Sequence, residues 1–130
     1  MAEEMDYWQE FEIETKVVAI LSNVRSKDQP LGRPFLTAYQ IAIEFNRLHP
    51  GIAAALGEPI DGRGVGVLYS LSTYLAKQLS EHIRDGSLQN VEGGFLSNLY
   101  LNDISFTSED EPISSLTGAN SPLSIFRFLD

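Results

Sequence analysis

The chain has 130 residues, 43% hydrophobic and 21% charged, with no cysteine and a formal net charge of −9. That is one ordinary globular domain's worth of chain, and disulfides, thiol catalysis and cysteine-ligated zinc are excluded. The acidic balance argues against nucleic acid and anionic membrane as partners, and no apolar run approaches the roughly 18 residues of a membrane span.

The start, MAEEMD, is acidic and lacks the basic region of a signal peptide, so the cytoplasm is the expected compartment and residues 1–6 a frayed end. From Tyr7 to Val24 two periods compete. Phe11, Ile13, Thr15 and Val17 alternate with Glu12, Glu14 and Lys16 as in a strand, while Trp8, Phe11, Thr15, Val18 and Leu21 make a helical stripe with Val17, Ile20 and Val24 beside it. The length favours a helix, because strands average about 5 or 6 residues. Ser26 to Arg33 is a polar loop punctuated by Pro30 and Gly32.

The strongest local signal is Pro34 to Leu48. Thr37 stands three residues before Gln40, the spacing of a capping box, and Leu36 and Ile41 occupy the positions of a hydrophobic staple. Ala38, Ile41, Ala42, Phe45 and Leu48 then recur at steps of three and four, leaving Gln40, Glu44 and Arg47 toward water until Pro50 and Gly51 end the helix. The run GIAAALG reads as a short helical turn closed by Gly57, and EPIDGRGVG as a glycine-rich loop. Leu68, Leu71, Leu75, Leu79 and Ile83 predict a long third helix, with Gly86 as its stop. Its outward face carries Ser70, Thr73, Lys77, Ser80, Glu81 and Arg84.

Past Gly86 the period becomes two. Leu88 to Glu92 and Phe95 to Leu101 flank Gly93 and Gly94 as the arms of a hairpin would, and Ile104 and Phe106 suggest a further strand. Ser108 to Pro122 reads as a mobile acidic loop, and Leu123 to Phe128 as a closing strand with enough apolar mass for the core to need it.

Three helices and then a small antiparallel sheet, with LTAYQIA opening the second helix, SLSTYLAKQLSEHIRDG forming the third and SLQNVEGGFL following, resemble winged helix-turn-helix domains. The resemblance implies that the element like Ser70 to Ile83 enters the major groove of DNA and that the hairpin like Leu88 to Leu101 is the wing. This chain departs from the family where PGIAAALGEPIDGRGVG separates the second and third helices. A looser likeness, to small acidic proteins encoded on integron gene cassettes, implies nothing about mechanism.

Gly62, Gly64 and Gly66 around Arg63 invite comparison with a phosphate cradle, yet their spacing is neither a Walker loop nor a dinucleotide fingerprint. Arg63, Thr73, Lys77 and Arg84 are the candidates for contact with nucleic acid or an anion. His49 is expected to end a helix, where its charge would suit the dipole, and His82 to pack at the edge of an apolar stripe. No motif for catalysis, a cofactor or a metal is present; the run Glu109, Asp110, Glu111 lacks the alternation of a calcium loop. Residues 1–130 are thus expected to form a single α+β domain, three main helices followed by a small antiparallel sheet, winged-helix-like. Its expected role is non-catalytic binding or regulation through a protein-association surface. DNA regulation is the first alternative, and a ligand-binding protein or enzyme using the Gly62 to Gly66 loop the second. Because the final strand is apolar on both faces, a homodimer is expected to supply its second cover.

Overall fold

The computed structural model describes residues 6–25, 30–60, 67–101, 104–107, 113–114 and 123–129, with backbone alone for 57–60, 67–70 and 113–114. Residues 1–5 of the predicted frayed start, the Gly62 to Gly66 loop with Arg63, and most of the predicted loop at 108–122 lie outside the described residues, while Asp6, expected in the frayed end, is held as a helix cap. The architecture is α+β. Among the described residues five helices, α1 (Tyr7–Glu10), α2 (Ile13–Ser22), α3 (Ala38–Leu48), α4 (Pro50–Ile60) and α5 (Val67–Arg84), pack with a three-stranded antiparallel sheet. The strands of that sheet are β1 (Leu36–Thr37), β2 (Val91–Leu96) and β5 (Leu123–Phe128). A separate two-stranded ribbon joins β3 (Ser105–Phe106) to β4 (Ile113–Ser114).

The segment expected to be one helix from Tyr7 to Val24 is two. Asp6 caps α1 by accepting from the Trp8 amide at 3.1 Å, and the chain breaks at Glu12, whose φ of 53° is left-handed. A non-glycine residue there costs roughly 1 kcal/mol. Two burials compensate, because the break lets Trp8 pack against α5 while α2 restarts on its own apolar row. That row is Ile13, Val17, Ile20 and Leu21, all buried, whereas Thr15 of the predicted stripe faces solvent. The break thus turns the helix face by a step that no single period describes.

The capping box of α3 forms as its spacing requires: Gln40 donates its amide to Thr37 Oγ1 at 3.1 Å, and Gln40 Oε1 accepts from the Thr37 amide at 2.7 Å. Ala38, Ile41, Ala42 and Phe45 are buried, while Leu48, placed on the same stripe by sequence, is 45% exposed. His49 links two helices, donating its amide to Phe45 O at 2.7 Å and accepting from Ala53 N at 3.0 Å. Pro50 is then the first residue of α4, where a missing N–H costs nothing. The expected stop at Gly57 fails, for α4 continues to Ile60. A glycine costs a helix only about 1 kcal/mol against alanine, less than is gained by burying Ala53 and Leu56.

The α5 helix contributes Leu71, Leu75 and Leu79, each wholly buried, to a core shared with Phe45 and Phe126. It ends where predicted, at Gly86 with φ +86° and its amide on Ile83 O. The predicted hairpin about Gly93 and Gly94 is not formed. The β2 strand runs straight through both glycines and pairs antiparallel with β5, Val91 opposite Phe128 and Leu96 opposite Leu123. Phe126 decides the matter locally. It stands opposite Gly93, and a Cβ at that glycine would lie 3.1 Å from the Phe126 ring and 3.3 Å from Ile83, so the strand needs the missing side chain for packing instead of for a turn.

Strand order is β1-β5-β2, which puts the last strand of the chain in the middle of the sheet. Phe126 faces the helices. On the opposite side Arg127 lies over the Phe35 ring at 4.5 Å, donates to the carbonyls of Leu31 and Arg33, and pairs with Glu92 at 2.9 Å. Cover for the second side of β5, expected from a partner copy, therefore comes in part from Phe35 and Arg127 of this chain.

Candidate functional site

Three places carry side chains with something left to offer: the outward face of α5, its C-terminal end, and the far end of β2. On α5 the 3.6-residue repeat brings Thr73, Lys77 and Arg84 to one side, and all three are exposed. Glu81 is exposed beside them, so the face is mixed in charge. Three of the four predicted contact residues are thus brought together; Arg63 lies outside the described residues.

The end of α5 holds a serine, a histidine and an aspartate in contact. His82 Nδ1 is 2.9 Å from Ser87 Oγ, which is 2.7 Å from Asp85 Oδ1, and the Ser87 amide reaches the same oxygen at 2.9 Å. A nucleophilic triad needs the histidine between the other two, taking the serine proton while the acid holds its far nitrogen. Here serine is the middle member and its hydroxyl donates a hydrogen bond to the Asp85 carboxylate, so the order of the three groups differs from that of a triad. Hydrogen bonds from the Ser87 amide and hydroxyl hold the Asp85 carboxyl below the usual carboxylate range. The arrangement is a helix stop. The His82 ring serves packing, stacked on Trp8 with centroids 4.7 Å apart and planes 13° from parallel, which fastens α1 to α5.

His49, expected as a charged helix end, is at the end of α3 but neutral in its role. Burial, and then the charge of Lys16, push its pKa below the ordinary histidine value. Tyr74, half-buried on α5, is pushed up to about 12, first by burial and then by the charges of Asp6 and Tyr7. A shallow cleft of about 360 Å³ between α3 and the ribbon is lined by Gln40, Ile43, Glu44, Ser105, Phe106 and Thr107. Two of its polar groups are already engaged, since Gln40 closes the capping box and Glu44 takes two hydrogen bonds from Arg47 at 2.7 and 2.9 Å. The wall is fixed by Phe106 stacking on Tyr39 at 5.2 Å. Among the described residues no group of three or more His, Asp or Glu side chains is placed to hold a metal.

The far end of β2 differs in kind. Phe95 is 68% exposed, Leu96 40%, Leu99 68% and Tyr100 97%: four large apolar side chains within six residues. Phe95 shares a side with Gly93 and Val91 but lies past the helical cover that buries Val91. Tyr100 adopts φ 64°, in the left-handed region, which is strained for a bulky residue. The stretch Val91 to Leu101 contains one charge, Glu92, and Arg127 already neutralises it. Sequence reasoning assigned these residues to a hairpin arm, where alternate side chains would be buried. The available signal was that Leu96, Leu99, Tyr100 and Leu101 do not alternate with polar residues as a paired arm does.

No protein-family model, no curated protein and no solved structure matches this chain. Function therefore has to be argued from the surface itself. No helix among the described residues is long and apolar enough to cross a membrane.

Proposed function

We propose that the protein is a non-catalytic binding module that associates with another protein through the end of β2. The observation that carries this reading is the exposed group Phe95, Leu96, Leu99 and Tyr100, close together in sequence and clear of net charge in a chain of −9. Apolar patches on monomeric proteins rarely exceed a few hundred Å², and those that do mark association surfaces. Aromatic residues are the side chains that carry most binding energy at such surfaces. Support for a role without catalysis comes from three polar groups that already serve the fold: Thr37 with Gln40 as a cap, Asp85 with Ser87 at a helix end, and Glu44 with Arg47 as an ion pair. The test is to compare wild type with Phe95→Ser/Tyr100→Ser as bait. A specific partner retained by the first and lost by the second, with both melting at the same temperature, supports the reading; equal retention by both removes it.

The grouping of Thr73, Lys77 and Arg84 on one exposed face of α5 favours a second reading, the DNA-binding regulator implied by the winged-helix resemblance. Its electrostatics are poor, because Glu81 shares the face and the whole domain is acidic. Gel shifts with random duplex at low salt discriminate. Binding that weakens on all sequences in Lys77→Ala, with a shallower salt dependence, supports it, and absence of any shift is the expected result.

A further inference from the structure

We infer that the partner of this surface is a second copy of the chain, joined by antiparallel pairing of the two β2 edges about a two-fold axis; the inference rests on the association surface proposed above. The β2 strand lies at the edge of the β1-β5-β2 sheet, and among the described residues its outer side has no strand partner. Proteins normally protect such an edge with lysine, proline or a bulge, because its open N–H and C=O groups are a template for another strand. Val91 to Leu96, VEGGFL, has none of these over six residues.

Charge selects the occupant. Most of the surface of a domain at −9 repels its own copy, and the stretch from Val91 to Leu101 is where that repulsion is weakest, since Glu92 is held by Arg127 at 2.9 Å. A two-fold register centred on Gly93 sets Phe95 opposite Val91 of the other copy, and one centred on Gly94 sets it opposite Gly93. In both, each Glu92 stays out of line with its counterpart and Phe95 gains the cover that its own chain withholds. A basic or acidic peptide would find no charge on this strand left to meet.

Area sets the strength. At 68% and 97% exposure for the two aromatics, and 68% and 40% for the two leucines, the side chains present roughly 500 Å² per copy. Two copies bury about 1,000 Å² plus the strand edges, the lower limit for a specific interface. An interface of that size lies at the boundary between specific and transient association, so the dimer is expected to be concentration-dependent.

The chain has no cysteine, so one introduced thiol reports unambiguously. Light scattering over a concentration series should show the mass rising from 14.4 kDa toward twice that value, and Phe95→Ser/Tyr100→Ser should keep the lower mass with an unchanged melting temperature. In the register centred on Gly94, where the two copies of that residue stand opposite each other, Gly94→Cys should give an interchain disulfide on mild oxidation, while Thr73→Cys on α5 should not. A wild-type mass of 14.4 kDa at every concentration overturns the second copy, and leaves the association surface to be judged by its own bait experiment. A dimer indifferent to the double substitution, or cross-linked through position 73 and not 94, places the interface elsewhere and overturns the inference.

Discussion

The helical layer and the β2 edge treat the same kind of residue in opposite ways. In the layer, Ile41, Phe45, Leu71, Leu75 and Leu79 are at 0% exposure, each covered by neighbours from α2, α3, α4 or α5. At the end of β2, Phe95 and Tyr100 of similar bulk stand at 68% and 97%. Apolar surface left in water costs about 25 cal/mol per Å² relative to burial, so the layer is where this chain gets its stability and the edge is where it forgoes some. The difference suggests two uses of hydrophobic mass: one holds the domain together, the other is kept for something outside it.

Substitutions sharpen the contrast in descending order. Phe45→Ala should cost about 3–5 kcal/mol in chemical denaturation, the price of a large cavity in a closed core. Gly93→Val comes next at about 1–3 kcal/mol, because its Cβ would press on the Phe126 ring at 3.1 Å and either that ring or Ile83 must shift. Thr37→Ala should cost about 1 kcal/mol through the lost N-cap of α3. A smaller effect depends on pH. Tyr74 holds its proton up to about 12 in the folded state against 10.0 for a free tyrosine, so its contribution is fully present below pH 10 and is lost as pH climbs from 10 to 12. The Tyr74→Phe variant should lose that part of the alkaline decline in a melt series. Last, Phe95→Ser should change stability by less than about 0.5 kcal/mol, as at an ordinary surface position. A large loss there would show that the edge belongs to the core after all and erase the contrast.

The helical half was legible because its signals are local. A capping box is complete within four residues, and the leucine row of α5 repeats inside one element, so Thr37, Gln40, Leu71, Leu75 and Leu79 announce their roles without reference to the rest of the chain. The sheet was not, because pairing is decided far away. Gly93 and Gly94 carry a good turn signature, and only the ring of Phe126, from a strand much later in the chain, shows why a straight strand wins. The break at Glu12 belongs to the same class, since it follows from Trp8 finding His82 on α5. Thr73, Lys77 and Arg84 share an exposed face of α5, for helical phase is also local. The exposed group on β2 was missed because exposure is a property of what fails to arrive, and no window of sequence contains that.

The order β1-β5-β2 has a consequence for how the protein is made. Leu36 pairs with Phe126 and Val91 with Phe128, so both outer strands wait for the one between them, which is synthesised after either. The contacts among α3, α4 and α5 join elements adjacent in sequence and are available while the chain is still leaving the ribosome. Until Leu123 to Phe128 emerges, β1 and β2 are two unsatisfied edges beside a core that lacks Phe126, the state that chaperones and proteases recognise. Removing Leu123 to Phe128 is therefore expected to leave β1 and β2 unpaired while the contacts among α3, α4 and α5 can still form.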